Sequence, residues 1–217
     1  MIKAVIFDVD GTLLDTERLY MQGWREAAAL FGYPMPEEAL LKTRAVRIPE
    51  AIKVFQHYCG SDFPYYEVRK ERTRISEEII ERSTPKELCK SNVRKLLDYL
   101  AEHGIAMAVA SSTLYERTVA HLKQAELFHY FQAAVGGDMI ENGKPAPDIF
   151  LKAAQLLGVA PEECIVVGDT PADVLAANAA GMPVILIPDQ VPPNAQTSAL
   201  SWKILSDLWD VANAIEE

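Results

Sequence analysis

Two aspartates, Asp8 and Asp10, close the segment AVIFDVDGT, where an apolar run meets a turn. Far along the chain Ser111, Ser112 and Thr113 follow a second apolar run, Lys144 stands between Gly143 and Pro145, and Asp169 and Asp173 follow a third run. Clustered carboxylates repel one another, and a hard divalent cation such as Mg²⁺, which takes oxygen ligands and keeps part of its water shell, relieves that repulsion. A carboxylate is also a nucleophile toward phosphorus, giving an aspartyl-phosphate. Such an attack brings two anions together. At ~4 Å, like unit charges cost about 4 kcal/mol at an effective dielectric of ~20. Mg²⁺ and Lys144 would offset that charge, while the Ser111 hydroxyl and the Ser112 backbone N–H would bind phosphoryl oxygens. A helix beginning near Leu114 would add its positive end. Asp10 would then act as general acid for the leaving alcohol and as base for water. Each residue also has a plainer reading. Asp8 and Asp10 suit a turn, Ser111 a helix N-cap, Lys144 a solvated loop, and Asp173 a helix N-terminus stabilised by the dipole.

The elements that must carry these groups are legible as short apolar runs without alternation, the pattern of strands buried on both faces. They are Ile2 to Phe7, Ile105 to Ala110, Ile165 to Val167 and Val184 to Ile187, with a shorter one at Ala133 to Val135. Helical patterns separate them, at Val93 to His103, Leu114 to Ala125, Pro147 to Leu157 and Ala172 to Ala180. Such alternation predicts a parallel sheet covered on both sides, with ligands beyond the carboxyl ends of the strands. All the residues named above fall there. Residues 16–84 break the alternation with long amphipathic patterns, Glu17 to Phe31 and Pro64 to Arg82, and read as a helical insert. Trp24 and Phe31 read as core within it, and Arg69 to Arg74 as a solvated face flanked by glutamates. Pro188 to Ser201 reads as a polar loop before a last helix.

Composition excludes several classes. The 217 residues are 49% apolar and 24% charged, as in an ordinary globular chain rather than a disordered one. With 21 Lys+Arg against 31 Asp+Glu the net charge is −10, which repels nucleic-acid phosphates and anionic lipid. No apolar run reaches the ~18 residues of a membrane span. No secretory signal is read in the opening segment, which is short and carries acids. Cys59, Cys89 and Cys164 are widely spaced and odd in number, and read as buried reduced thiols of a cytoplasmic protein. The expected partner is a small phosphorylated substrate, with no nucleic acid and no membrane, and the chain is read as a monomer.

The four segments, taken in order, resemble the haloacid dehalogenase superfamily of phosphohydrolases over nearly the whole chain. DVDGT (Asp8 to Thr12) is similar to its first motif, AVASS (Ala108 to Ser112) to the second, Lys144 in GKPAPDIF to the third, and GDTPADVLAANAAGM from Gly168 to the fourth. The resemblance implies an α/β, Rossmann-like parallel sheet core, residues 1–15 and 85–217, with an inserted helical cap, residues 16–84. It implies Asp8 as nucleophile, Asp10 as acid and base, and Ser111 and Lys144 as phosphate-site residues. Mg²⁺ would be held by the carboxylates of Asp8 and Asp169 and the backbone carbonyl of Asp10, with Asp173 as supporting acid.

Among members, the look is nearest the branch of beta-phosphoglucomutase and small sugar-phosphate phosphatases. That branch often has Glu-Asp-Ser where this chain has Gly168-Asp169-Thr170, and its mutase has a histidine where this chain has Tyr20. The mutase carries a glycine near Arg44 and a phosphate-binding arginine aligned with Arg47. These two residues are the candidate cap contacts to substrate, with plain surface charge as the other reading. Lys53 lacks the surroundings of a phosphonatase lysine, and the presence of Asp10 argues against a dehalogenase. A receiver-type phosphoacceptor would carry its aspartate after a middle strand and would lack the insert. The expectation is therefore a Mg²⁺-dependent phosphomonoester hydrolase acting through an aspartyl-phosphate, with a phosphoglucomutase-type isomerase as the alternative.

Overall fold

The structure is a computed structural model, and it describes residues 2–43, 46 and 48–216. Strand β1 (Ala4–Phe7) leads into four helices: α1 (Thr16–Leu30), α2 (Glu37–Lys42), α3 (Ile48–Cys59) and α4 (Tyr65–Arg82). Then come α5 (Pro85–Leu88), α6 (Val93–Glu102), β2 (Ala106–Ala110), α7 (Tyr115–Gln124), β3 (Ala133–Val135) and α8 (Asp148–Leu157). The chain ends with β4 (Cys164–Gly168), α9 (Pro171–Ala179), β5 (Val184–Leu186), α10 (Ala195–Leu200), β6 (Lys203–Ile204) and α11 (Asp210–Glu216). Two compact units result, one from the segments ending at Asp15 and resuming at Thr84, the other from Thr16–Ser83. Among the described residues no helix is long and apolar enough to cross a membrane.

The first unit is built on a six-stranded parallel sheet of order β3-β2-β1-β4-β5-β6. Ala4, Ile6, Ala108, Cys164, Val166 and Val184 share one cluster with Ile149, Phe150 and Ala153 of α8 and with Val174 and Ala177 of α9. Residues of the other parity, Val5, Phe7, Met107, Val109, Ile165 and Val167, are equally buried. This explains why the strands read as unbroken apolar runs. The two segments of the unit are stitched where they meet: Asp15 N–H donates to the Leu88 carbonyl at 2.8 Å and Lys90 N–H to the Leu13 carbonyl at 2.9 Å. Two elements differ from the sequence reading. The supposed polar loop contains α10, whose N-cap Asn194 accepts from Thr197 N–H at 2.9 Å. The two-residue edge strand β6 is too short to leave an apolar run.

The helical unit has its own core of Ala27, Ala28, Leu40, Phe55, Phe63, Tyr65, Val68 and Ile75. Trp24 packs on Phe55 with ring centroids 4.6 Å apart and on Tyr65 at 5.8 Å. Phe31 departs from the expected core role: it lies beyond the end of α1 and is 43% exposed. The basic run on α4 also divides. Arg74 bonds Glu71 and Glu78 in the open, whereas the Arg72 guanidinium lies over the Tyr20 ring at 4.2 Å and near Trp24 at 5.7 Å. Cys59 and Cys164 are buried free thiols, but Cys89 is only half-buried. Arg44 and Arg47 lie outside the described residues.

Phe55 is 1% exposed and touches three other rings. Phe55→Ala is therefore expected to cost the helical unit about 3–5 kcal/mol. Urea unfolding followed by tryptophan fluorescence and far-ultraviolet circular dichroism measures this. A loss below ~1 kcal/mol would contradict the packing described.

Candidate active site

Strand register determines which chain ends meet. Phe7 pairs with Val109 on one side and Val167 on the other. One residue further, Asp8 stands between the last residues of β2 and β4, and its N–H donates to the Val167 carbonyl at 2.8 Å. Ser111 and Asp169 come next on the flanking strands. Separation in sequence is thus erased by a register set by the apolar runs themselves.

Lys144 crosses this edge. Its side chain is 4% exposed, and its ammonium lies 2.5 Å from Asp8 Oδ1, 2.6 Å from Asp173 Oδ1 and 2.9 Å from the Ala110 carbonyl. Asp8 Oδ1 and the Ala110 carbonyl accept hydrogen bonds from the ammonium, and Asp173 Oδ1 pairs with its charge. The Phe150 ring, 4.9 Å away, adds a face of negative quadrupole. Burial alone would depress the lysine pKa, but the charges of Asp173 and Asp8 outweigh it and hold the group above the ordinary lysine range. Lys144 is therefore a fixed cation rather than a proton carrier.

Asp8, Asp169 and Asp173 are buried, and one carboxylate oxygen of each lies within 4.8 Å of the others. Desolvation by burial pushes Asp8 up to about 8; Asp173 and Asp10 push the same way, and Lys144 pulls against them. Three buried carboxylates, two of them paired with a single ammonium, leave excess negative charge on hard oxygen donors. This set fits a divalent cation of the Mg²⁺ type. Asp173 is oriented from behind, because its Oδ2 accepts from Thr170 N–H at 3.0 Å and Thr170 Oγ1 at 2.5 Å. The same pair caps α9. Asp169 Oδ1 accepts from Thr12 Oγ1 at 2.9 Å. The capping pattern Thr170-x-x-Asp173 is visible in sequence, but nothing local assigns Thr12 to Asp169.

Asp10 has a different environment. It is half-buried, and its Oδ2 accepts from Thr113 Oγ1 at 2.9 Å and Ser111 Oγ at 3.2 Å. The Asp10 side chain is not in the three-carboxylate group. Ser111 is 1% exposed and also accepts from Thr113 N–H at 3.0 Å. It does not cap α7, whose N-cap position is Leu114. Ser112 is exposed. Of the residues singled out in sequence, Asp8, Asp10, Ser111, Lys144, Asp169 and Asp173 are brought to one edge. Arg44 and Arg47 are the candidates about which the structure says nothing.

Comparison with known proteins assigns a class of hydrolase to the chain that carries this edge of carboxylates around a buried lysine. Residues 5–187 match the model of the haloacid dehalogenase-like hydrolases, and the chain belongs to that family. It is 33% identical over 183 residues to a phosphorylated carbohydrates phosphatase of Thermotoga maritima, covering 83% of this chain and 82% of that protein. It is 32% identical over 187 residues to the fructose-1-phosphate phosphatase YqaB of Escherichia coli, covering 84% and 94%. The beta-phosphoglucomutase of Bacillus subtilis is 27% identical over 220 residues, covering 96% of each. Among solved structures, CbbY of Rhodobacter sphaeroides in complex with phosphate superposes with a TM-score of 0.78 at 25% identity, covering 97% of this chain and 96% of that one. The departure at Gly168 has a steric reason. A Cβ there would lie 2.6 Å from Asp173 Cβ, so a side chain at 168 and Asp173 in its observed place exclude each other.

The Asp8 shift makes a prediction about pH. Its folded value of about 8 lies above the ordinary 3.8, so ionisation is costlier in the folded protein. In EDTA the stability should fall as pH rises from about 4 to about 8. Asp8→Asn should flatten that decline. Melting temperatures of both proteins across this range provide the check, and parallel curves would contradict the assignment.

Proposed function

We propose that the protein is a Mg²⁺-dependent phosphomonoesterase acting on a small phosphorylated metabolite, by class a sugar phosphate, through an aspartyl-phosphate on Asp8. The observation that carries this reading is the contrast between two carboxylates on one loop. Asp8 is locked against Lys144 among buried acids, and Asp10 is held apart by two hydroxyls. Pairs of acids in environments this different take different roles. The similarity to relatives named as phosphatases of phosphorylated carbohydrates and of fructose 1-phosphate supports the substrate class.

In this mechanism the Asp8 carboxylate attacks phosphorus while Lys144, the Ser111 hydroxyl and the Ser112 N–H bind the phosphoryl oxygens. The ester P–O bond breaks, and Asp10 gives its proton to the leaving alcohol. Asp10, now ionised, takes a proton from water as that water attacks the same phosphorus. The Asp8–phosphorus bond breaks, inorganic phosphate leaves, and both aspartates return to their starting states. The Asp8 and Asp169 carboxylates and the Asp10 backbone carbonyl would hold Mg²⁺, with Asp173 behind them. The cation supplies positive charge that offsets repulsion between nucleophile and phosphate. Residues 16–84 are proposed as the cap that selects substrate. Tyr20 lies under the Arg72 guanidinium, so no imidazole is present there for a mutase-type proton step. The free thiols support a reducing, cytoplasmic setting, and a monomer is the proposed state.

Phosphate release from sugar phosphates should require Mg²⁺, stop in EDTA and return on adding the metal. Full activity of metal-free enzyme would overturn the cation's role. Asp8→Asn should lower kcat to a few per cent of wild type or less, and Asp10→Asn should lower it about 10²–10⁴-fold. A sugar 1-phosphate should yield free phosphate. Conversion to the 6-phosphate would instead identify an isomerase.

A further inference from the structure

Asp10 makes two proton transfers in the proposed reaction, and such a group must keep one orientation through both. Its carboxylate is gripped at a single oxygen. Thr113 Oγ1 donates to Asp10 Oδ2 at 2.9 Å, and Ser111 Oγ donates to the same atom at 3.2 Å. The two donors are not equivalent. A hydroxyl has one proton to give. Ser111 Oγ already accepts from Thr113 N–H at 3.0 Å, and in the proposed reaction its own proton turns to a phosphoryl oxygen. Thr113 has no phosphoryl oxygen to bind there, so its hydroxyl is the one that stays on Asp10 while substrate is in place.

Thr113 is half-buried, and its backbone is held on both sides. Ser111 N–H extends the sheet ladder by donating to the Val135 carbonyl at 3.0 Å, and Gly137 N–H donates to the Thr113 carbonyl at 2.9 Å. Thr118 Oγ1 reaches the same carbonyl at 3.5 Å. A Cβ at Gly137 would lie 2.5 Å from the Ser112 carbonyl oxygen, so the segment after β3 lies directly against the segment after β2. The N–H, the carbonyl and the hydroxyl of Thr113 are thus all engaged. Its branched Cβ restricts χ1 further. The sheet edge therefore presets this hydroxyl, and it is aimed at the group that moves protons.

We propose that Thr113 is a positioning residue for proton transfer: its hydroxyl holds Asp10 by Oδ2, and the proton leaves from and returns to Oδ1. In the first half-reaction Oδ1–H gives its proton to the ester oxygen as the P–O bond breaks, and the charge left on the carboxylate is met at Oδ2 by the Thr113 O–H. In the second, water gives a proton to Oδ1 while its oxygen bonds to phosphorus and the Asp8–phosphorus bond breaks. Thr113 neither gains nor loses a proton. The inference rests on the phosphatase reading and deepens it, by naming the group that orients its acid and base.

The test uses the full chain with Mg²⁺ and two esters of similar shape. The leaving group of p-nitrophenyl phosphate departs without a proton, whereas that of phenyl phosphate needs one. Thr113→Val keeps the shape of the side chain and removes the hydroxyl. It should lower kcat/KM for phenyl phosphate about 10- to 100-fold, as expected for lost orientation of a transferring group, and change kcat/KM for p-nitrophenyl phosphate less than about threefold. Dephosphorylation still needs Asp10 with either ester. The valine variant should therefore release about one equivalent of p-nitrophenol in a burst before a slow steady state. Thr113→Ser should bring both rates back to within about fivefold of wild type and remove the burst, because the donor is restored without the branched Cβ. Thr113→Ala should behave as the valine variant and replaces it if valine lowers the melting temperature. Equal losses with the two esters, a rise in KM alone, no loss of rate, no burst, or a serine variant as slow as valine would overturn the positioning role and leave the phosphatase reading in place. No phosphate release by the wild type from either ester would overturn both.

Discussion

A buried ammonium holds this site together. Lys144 reaches from the loop after β3 to Asp8 at the end of β1, to Asp173 on α9 and to the carbonyl of Ala110 at the end of β2. A charge this deep persists only with full partnership, because an isolated buried ammonium is costly to desolvate. The reverse holds as well: Asp8 and Asp173 would face each other without compensation if Lys144 were absent. One side chain thus couples four separate segments, and the small residues around it follow from that crowding. Gly168 is the clearest case, since any side chain there would displace Asp173 from the lysine.

Around that ion pair the two aspartates of one loop diverge. Asp8 is buried with acids and a fixed cation, which suits a group that must be placed rather than moved. Asp10 sits half-exposed under two hydroxyl donors from the loop after β2, which suits a group that exchanges protons with a substrate and with water. Val9 lies between them and is buried, so residues 8 and 10 approach the edge with an apolar anchor between them.

The helical unit has another logic. Its core is centred on Phe55, whose ring meets Trp24, Phe63 and Tyr65, where the sheet unit's core is mostly aliphatic. Four helices without a sheet leave irregular gaps, and large rings fill them. Arg72 shows how a polar residue is accommodated there, as its guanidinium lies over the Tyr20 ring.

Sequence by itself determined the parallel sheet, because strands buried on both faces leave unbroken apolar runs and the helices between them leave amphipathic ones. It also determined that Asp8, Ser111 and Asp169 stand at the carboxyl edge, since each closely follows a run. The capping pair Thr170 and Asp173 was legible for the same local reason. Tertiary structure alone decided the pairings. Thr12 with Asp169, Thr113 with Asp10, and Lys144 with both Asp8 and Asp173 join residues separated by long stretches of chain, and such contacts leave no periodicity to read. It also decided that Phe31 is exposed, that Arg72 turns onto an aromatic ring, and that α10 and β6 exist. These depend on where neighbouring elements pack, which composition and spacing within a short window do not encode.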